Sequence, residues 1–278
     1  MEVKRTAIFI AMVGTLALTA CTEQLPPVAE VDTVKPFVFG EVHSWHSTVL
    51  NEERTLNVYL PDGYSDSLTY PVVYLLDGSA NEDYPHIAGL MQFMNMYDLH
   101  PKSIVVGIAN VDRYRDLTFP SQVDSDLVSL PTSGGSAAFM DFIEREVQPF
   151  VQDHYRVQGP RTIIGQSLGG LFAMEVLVTK PQLFDNYIVV SPSLWWNGGS
   201  ILASADSFLT ANGGIPKKVY LSLGNEGEEM QVGMDRLVAL FNAHASPPLQ
   251  WWYVPFPEET HATILHRSVY KALELTAK

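Results

Sequence analysis

Arg161-Thr162-Ile163-Ile164-Gly165-Gln166-Ser167-Leu168-Gly169-Gly170-Leu171-Phe172-Ala173-Met174 reads as a short apolar strand, a turn in which glycines flank a serine, and the opening of a helix. That order is a nucleophile elbow. The turn is tight enough to force Ser167 into a strained backbone conformation, which lifts its hydroxyl clear of the sheet, and side chains at Gly165 or Gly169 are expected to collide with neighbouring backbone. The G-x-S-x-G pattern alone arises by chance; the strand before it and the helix after it give it meaning. A serine that only capped the following helix would leave the doubled Gly169-Gly170 without a reason.

Outward from the elbow, the chain alternates two kinds of segment. Continuous apolar runs at Val72 to Leu76, Ile104 to Ile108, Arg161 to Ile164, Tyr187 to Val190, Val219 to Leu223 and Trp251 to Val254 suit parallel strands buried on both faces. Helical stretches lie between and after them, at Ile87 to Met96, Ser136 to Phe150, Leu168 to Thr179, Gln231 to Ala243 and Thr263 to Leu275. Near the start, His43 to Leu50 and Thr55 to Leu60 alternate apolar and polar residues around Asn51-Glu52-Glu53-Arg54, the pattern of an antiparallel hairpin. The expected fold is therefore α/β, a mostly parallel doubly wound sheet with an N-terminal hairpin. The irregular Asn110 to Gly135 stretch is long for a connection, as binding loops are.

A serine hydroxyl becomes a useful nucleophile only when a base takes its proton, and the base is usually oriented by a carboxylate. In α/β-hydrolases the chain order is serine, acid, histidine. His244 falls at the polar end of a helix and His266 inside the last helix, which leaves His261, in the loop after the last strand, as the base. The acid belongs just beyond Val219 to Leu223, where Glu226, Glu228 and Glu229 compete. Glu226 stands nearest the strand end and precedes a glycine that lets the loop turn inward, whereas Glu228 and Glu229 suit the first turn of the next helix. The oxyanion needs two donors: the amide of Leu168 and, from the loop Asp77-Gly78-Ser79-Ala80, the amide of Ser79. Asp77 precedes the serine and reads as a loop-holding residue.

The 278 residues suit one large domain, and a composition 46% hydrophobic and 17% charged supplies ample core. A formal charge of −14 repels phosphates, so nucleic-acid binding is excluded as an expectation. Residues 1–20 carry Lys4 and Arg5 ahead of an apolar run too short to span a bilayer comfortably, the form of an export signal. It ends Leu18-Thr19-Ala20-Cys21, similar to a bacterial lipobox, so lipidation of Cys21 is expected, followed by a tether over 21–32 and the domain over 33–278. The implied location is the cell envelope, facing the periplasm, with the outer membrane favoured over the inner because Thr22 is not aspartate. Cys21 is the only cysteine, so no disulfide within the chain is possible.

Leu75-Leu76-Asp77-Gly78, Val106-Gly107-Ile108-Ala109-Asn110-Val111-Asp112-Arg113, Gly165-Gln166-Ser167-Leu168-Gly169-Gly170, Ser191-Pro192-Ser193-Leu194-Trp195-Trp196 and His261-Ala262-Thr263 together resemble the putative esterase family, the esterase D-like branch of the α/β-hydrolases that includes siderophore esterases. The resemblance, running from about residue 40 to the C-terminus, implies serine ester hydrolysis without metal or other cofactor. Its members vary in where the acid sits. Arg113, Tyr114, Arg115 and Phe119 in the long loop, with Trp195 and Trp196, form a candidate cationic and aromatic wall for a small aryl, sugar or siderophore-type ester, Arg113 and Trp196 being the named substrate contacts. Arg113 has the alternative of pinning its loop through a carboxylate. An acyltransferase with the same triad and a non-catalytic binding lipoprotein are the other readings. Oligomeric state is not legible.

Overall fold

Glu41–Ser47 (β1) and Glu52–Tyr59 (β2) pair antiparallel, with Ser47 opposite Glu52. The chain reverses earlier than expected, over Thr48–Asn51, so Glu52, Glu53 and Arg54 belong to the strand. Side chains from outside the turn set this position: Glu146 Oε1 accepts the Thr48 and Val49 amides at 2.8 and 2.9 Å, and Asn51 takes φ +54°. Six further strands follow: Tyr70–Leu75 (β3), Ile104–Ile108 (β4), Val157–Gln166 (β5), Asn186–Val190 (β6), Lys218–Gly224 (β7) and Gln250–Phe256 (β8). They complete one sheet of order β1-β2-β4-β3-β5-β6-β7-β8, parallel throughout except where β2 meets its two neighbours. This computed structural model describes residues 33–277, and a compact unit begins at Phe39. Cys21, the leader and the tether lie outside the described residues.

The helices are Tyr84–Met96 (α1), Arg113–Leu117 (α2), Asp124–Ser129 (α3), Ser136–Phe142 (α4), Gln148–His154 (α5, joined to α4 by a π-helical turn), Leu168–Thr179 (α6), Trp196–Asn212 (α7), Glu228–His244 (α8) and Ile264–Thr276 (α9). Because strand side chains alternate, each parallel strand feeds two cores. Tyr74, Val106, Ile163, Val189 and Leu221 pack beneath α4 to α8, while Val73, Val105, Ile164, Ile188 and Tyr220 pack beneath α1 and α9. The long Asn110 to Gly135 segment is less irregular than its sequence suggests, since it contains α2 and α3. α7 lies outside the helical stretches expected from the sequence; its first turn runs through Asn197, Gly198 and Gly199, all at positive φ, before regular helix resumes.

The connection from β3 through α1 leads out to β4, whereas that from β5 through α6 leads the other way to β6, so the loops following β3 and β5 diverge. A crevice at the carboxyl ends of the strands opens at such a switch point. Gly78 lies there against the backbone of Gly107 and Ile108, too close for any side chain.

Candidate active site

The elbow takes the strained form its sequence requires: Ser167 sits at φ +60°, ψ −119°, between the last residue of β5 and the first of α6. A Cβ at Gly165 would overlap the Gly169 carbonyl, as expected. Gly169 itself corrects the expectation: a Cβ there would meet only ordinary contacts, the nearest at 3.5 Å, and the tight position is instead Gly170, 3.0 Å from Pro192. Leu168 opens α6, so its amide has no partner within the helix: the carbonyl four residues back, that of Ile164, lies in β5 and accepts the Leu76 amide.

A cleft of about 440 Å³ is lined by Asp77, Glu82, Asp83, Arg113, Gln166, Ser167, His261 and Ala262. Ser167 and His261, 94 positions apart in the chain, therefore line the same cavity. Glu226 meets His261 directly, Oε2 to Nδ1 at 2.5 Å, with the glutamate side chain 2% exposed and the histidine 45%. Burial pushes the Glu226 carboxyl up, but the bonds from His261, the Ser191 hydroxyl and the Gly224 amide outweigh it and hold the group below the ordinary glutamate value. With Nδ1 committed to the carboxylate, Nε2 is the ring nitrogen left for chemistry. Glu228 and Glu229 sit exposed in the first turn of α8, where negative charge favours the helix N-terminus.

The loop after β3 is held by ionic contacts. Arg113 grips Asp77 with two parallel bonds, Nε to Oδ1 at 2.7 Å and an Nη to Oδ2 at 2.9 Å, and Asn110 Nδ2 adds a third at 2.7 Å. Asp77 thus has the loop-holding part read from the sequence, and Arg113 both lines the cleft and pins the loop. The Gly78 amide is spent on Ile108, and Ser79 Oγ accepts the Asn110 amide at 3.2 Å. Ser79 follows Gly78 in the loop after the bend at Leu76 and Asp77, and it is not among the residues that line the cleft. Asp83, at the start of α1, is pushed up to about 6 by burial and by the neighbouring Asp77 and Glu82 charges, with Arg113 acting the other way.

Two expected substrate contacts are corrected. Trp196 is fully buried, its indole N–H donating to the Phe119 carbonyl at 2.8 Å; it packs in the core under α7 and does not line the cleft. Arg115 turns away to Glu52 and Asp116, because residues two apart on α2 point to different sides of a helix. Of the expected cationic and aromatic wall, Arg113 lines the cleft, whereas Tyr114, Arg115, Phe119, Trp195 and Trp196 are not among its lining residues. Three residues of the site went unread in the sequence. Ser191 donates to Glu226 at 2.5 Å; Gln166 donates its side-chain amide to the His261 carbonyl; Ser193 places its hydroxyl 3.4 Å from that of Ser167. The available signal was position, since Gln166 ends β5 and Ser191 directly follows β6, both at strand carboxyl ends.

The family model described as putative esterase matches residues 47–244. Among characterised proteins, ferri-bacillibactin esterase BesA of Bacillus subtilis is 33% identical over 198 residues, which span 63% of this chain and 66% of that protein, just under two thirds of its length. An IroE-like serine hydrolase from Shewanella oneidensis superposes with a TM-score of 0.79 at 30% identity, covering 86% of this chain and 80% of that one. The BES protein from Bacillus cereus gives 0.78 at 26% identity, covering 90% and 99%.

Proposed function

The chain belongs to the putative esterase family, a family of carboxylic ester hydrolases, and from that premise we propose that it cleaves esters through Ser167, His261 and Glu226 by way of an acyl-enzyme. The observation that carries this reading is the pairing of a serine at φ +60° with a histidine in one cleft, that histidine bound by a buried carboxylate.

In this mechanism His261 Nε2 takes the Ser167 proton as Oγ attacks the ester carbonyl. The imidazolium that forms is stabilised by Glu226 through Nδ1. The tetrahedral oxyanion is assigned to the Leu168 and Ser79 amides, since fixed backbone donors stabilise developing charge without reorganising. Collapse expels the alcohol, which regains a proton from His261 and leaves the acyl group on Ser167. Water, activated by the same histidine, releases the acid.

The substrate we propose is a siderophore-type ester, on the strength of the relatives named for such substrates. The polar cleft, with Arg113, Gln166 and three carboxylates, supports a compact polar ester over a long acyl chain, which calls for an extended apolar groove. The deciding experiment is labelling with a fluorophosphonate followed by an ester panel. Labelling confined to Ser167 and a kcat/KM higher for trilactone or aryl esters than for long-chain esters are expected. No labelling defeats the serine mechanism, and a long-chain preference defeats the substrate class. We also propose that Cys21 is the lipidated mature N-terminus, holding the domain outside the cytoplasm; a native, unlipidated N-terminus beyond Cys21 in mass spectrometry would overturn that.

A further inference from the structure

β6 ends at Val190, and the residue that follows, Ser191, is fully buried at φ +44°, a left-handed conformation that costs any residue with a Cβ. Its backbone is fixed from the neighbouring strand: the amide donates to the Ser222 carbonyl at 2.8 Å, and Ser222 Oγ in turn stands 2.6 Å from Ser268 Oγ in α9. From this anchored position the Ser191 hydroxyl donates to Glu226 Oε1 at 2.5 Å, while the other carboxylate oxygen meets His261. The remaining donor to Oε1 is the Gly224 amide at 3.0 Å.

We infer that Ser191 is a positioning residue of the catalytic site, fixing the orientation in which Glu226 presents its other oxygen to His261. A side chain that is 2% exposed has little water to replace a lost donor, so removing the hydroxyl leaves Oε1 with Gly224 alone and frees the carboxylate to turn. The same loss makes the ionised form of Glu226 less favourable, so its carboxyl rises back toward the ordinary glutamate value. Being fully buried, Ser191 does not touch substrate; its influence passes only through Glu226. The strained φ fits this role, because it is the backbone conformation that turns a residue just beyond β6 toward the loop after β7.

The inference rests on the proposed triad, and its test separates the two. Ser191→Ala and Ser191→Gly are made in the full chain and in a Glu226→Gln background. Glycine accepts the left-handed φ without strain, so it serves if alanine folds poorly. Expected are a kcat lower by about 10- to 100-fold, the span for losing a hydrogen bond to a charged group, and a KM within about twofold of the parent. The low-pH edge of kcat should move to higher pH, and the Ser191 effect should vanish once Glu226 is glutamine. An equal loss in both backgrounds, or a KM effect with kcat unchanged, would overturn the inference. If Glu226→Gln is itself harmless, the triad and the inference fall together. If Glu226→Gln is damaging and Ser191→Gly is not, the inference falls alone.

Discussion

Two ionic clusters of similar bond length serve opposite ends in this molecule. Behind the long loop, Arg54 donates to Asp116 at 2.7 Å and Glu52 at 2.9 Å, Arg115 donates to the same two carboxylates, and the Arg54 guanidinium lies 5.1 Å from the ring centroids of Phe139 and Phe142. Arg54 and Asp116 are each 1% exposed. Beside the cleft, Glu226 is as fully bonded as Asp116, yet its partner His261 keeps one ring nitrogen uncommitted and shares a cavity with Ser167. The difference teaches that burial and short ion pairs mark both structure and catalysis. What separates them is whether a reactive valence is left over at a cavity. The buried knot leaves Arg54 Nε without a partner, but in a place no substrate reaches.

Removing the leftover valence should give the largest effect. Ser167→Ala is expected to lower kcat by roughly 10⁶ while leaving thermal stability near the parent, since triad members act as one unit. His261→Ala should do about the same, and the two together little more. Additive losses, read from kcat on one ester, would break the equivalence of the two residues.

Next comes the bonded carboxylate. Glu226→Gln should cost up to about 10⁴ in kcat, by analogy with the acid of a serine-protease triad. Glu228→Gln and Glu229→Gln, exposed on α8, should change it by less than about twofold, as surface positions do. If Glu229→Gln were the damaging change, the contrast between buried Glu226 and the exposed α8 carboxylates would fail.

The buried knot should show the reverse signature, stability lost before chemistry. Arg54→Met leaves Asp116 buried with Arg115 alone, and breaking a buried pair in this way costs about 3–5 kcal/mol, or roughly 10 °C in Tm for a chain of this size. Adding Asp116→Leu should recover part of that loss, because an apolar pair of similar volume carries no desolvation penalty. A double variant less stable than Arg54→Met, measured by thermal melts, would show that the knot contributes more than a paired charge.

This division was only half legible in the sequence. The elbow, the order of strands and helices, and His261 follow from local pattern and chain order, because each is a statement about neighbours in sequence. Arg113 and Arg115 looked equivalent, and only their two-residue offset on α2 sends one to the cleft and the other to the knot. Glu226 could be ranked above its neighbours but not separated from them until the loop after β7 was seen against the loop after β8. Trp195 and Trp196 posed the same problem. No pattern says which of two tryptophans at a strand end is core, and the Phe119 carbonyl that accepts the Trp196 N–H comes from a distant loop. Ser191 was invisible for a further reason: its role depends on a positive φ, which residue type alone does not reveal.

Asp83 gives the smallest and most discriminating effect, because it is a cleft charge that neither cluster resembles. It starts α1 without making a side-chain cap and lines the cavity among Asp77 and Glu82, and burial with those charges pushes it up to about 6 from an ordinary 3.8. A carboxyl that holds its proton more tightly when folded than when unfolded stabilises the fold at low pH. That stability is fully present below the unfolded value and is lost as pH rises through the folded one, here between about 4 and about 6. Asp83→Asn removes the titration, so the Tm of the variant should gain on the parent as pH rises across that window and hold a constant lead above it. Glu82→Gln removes only one of the causes and should give a weaker version of the same trend. A Tm difference for Asp83→Asn that is the same at pH 4 and pH 8 would mean that the cleft carries no strained charge at this position, and the contrast between a saturated knot and an unsaturated cleft would then rest on His261 and Ser167 alone.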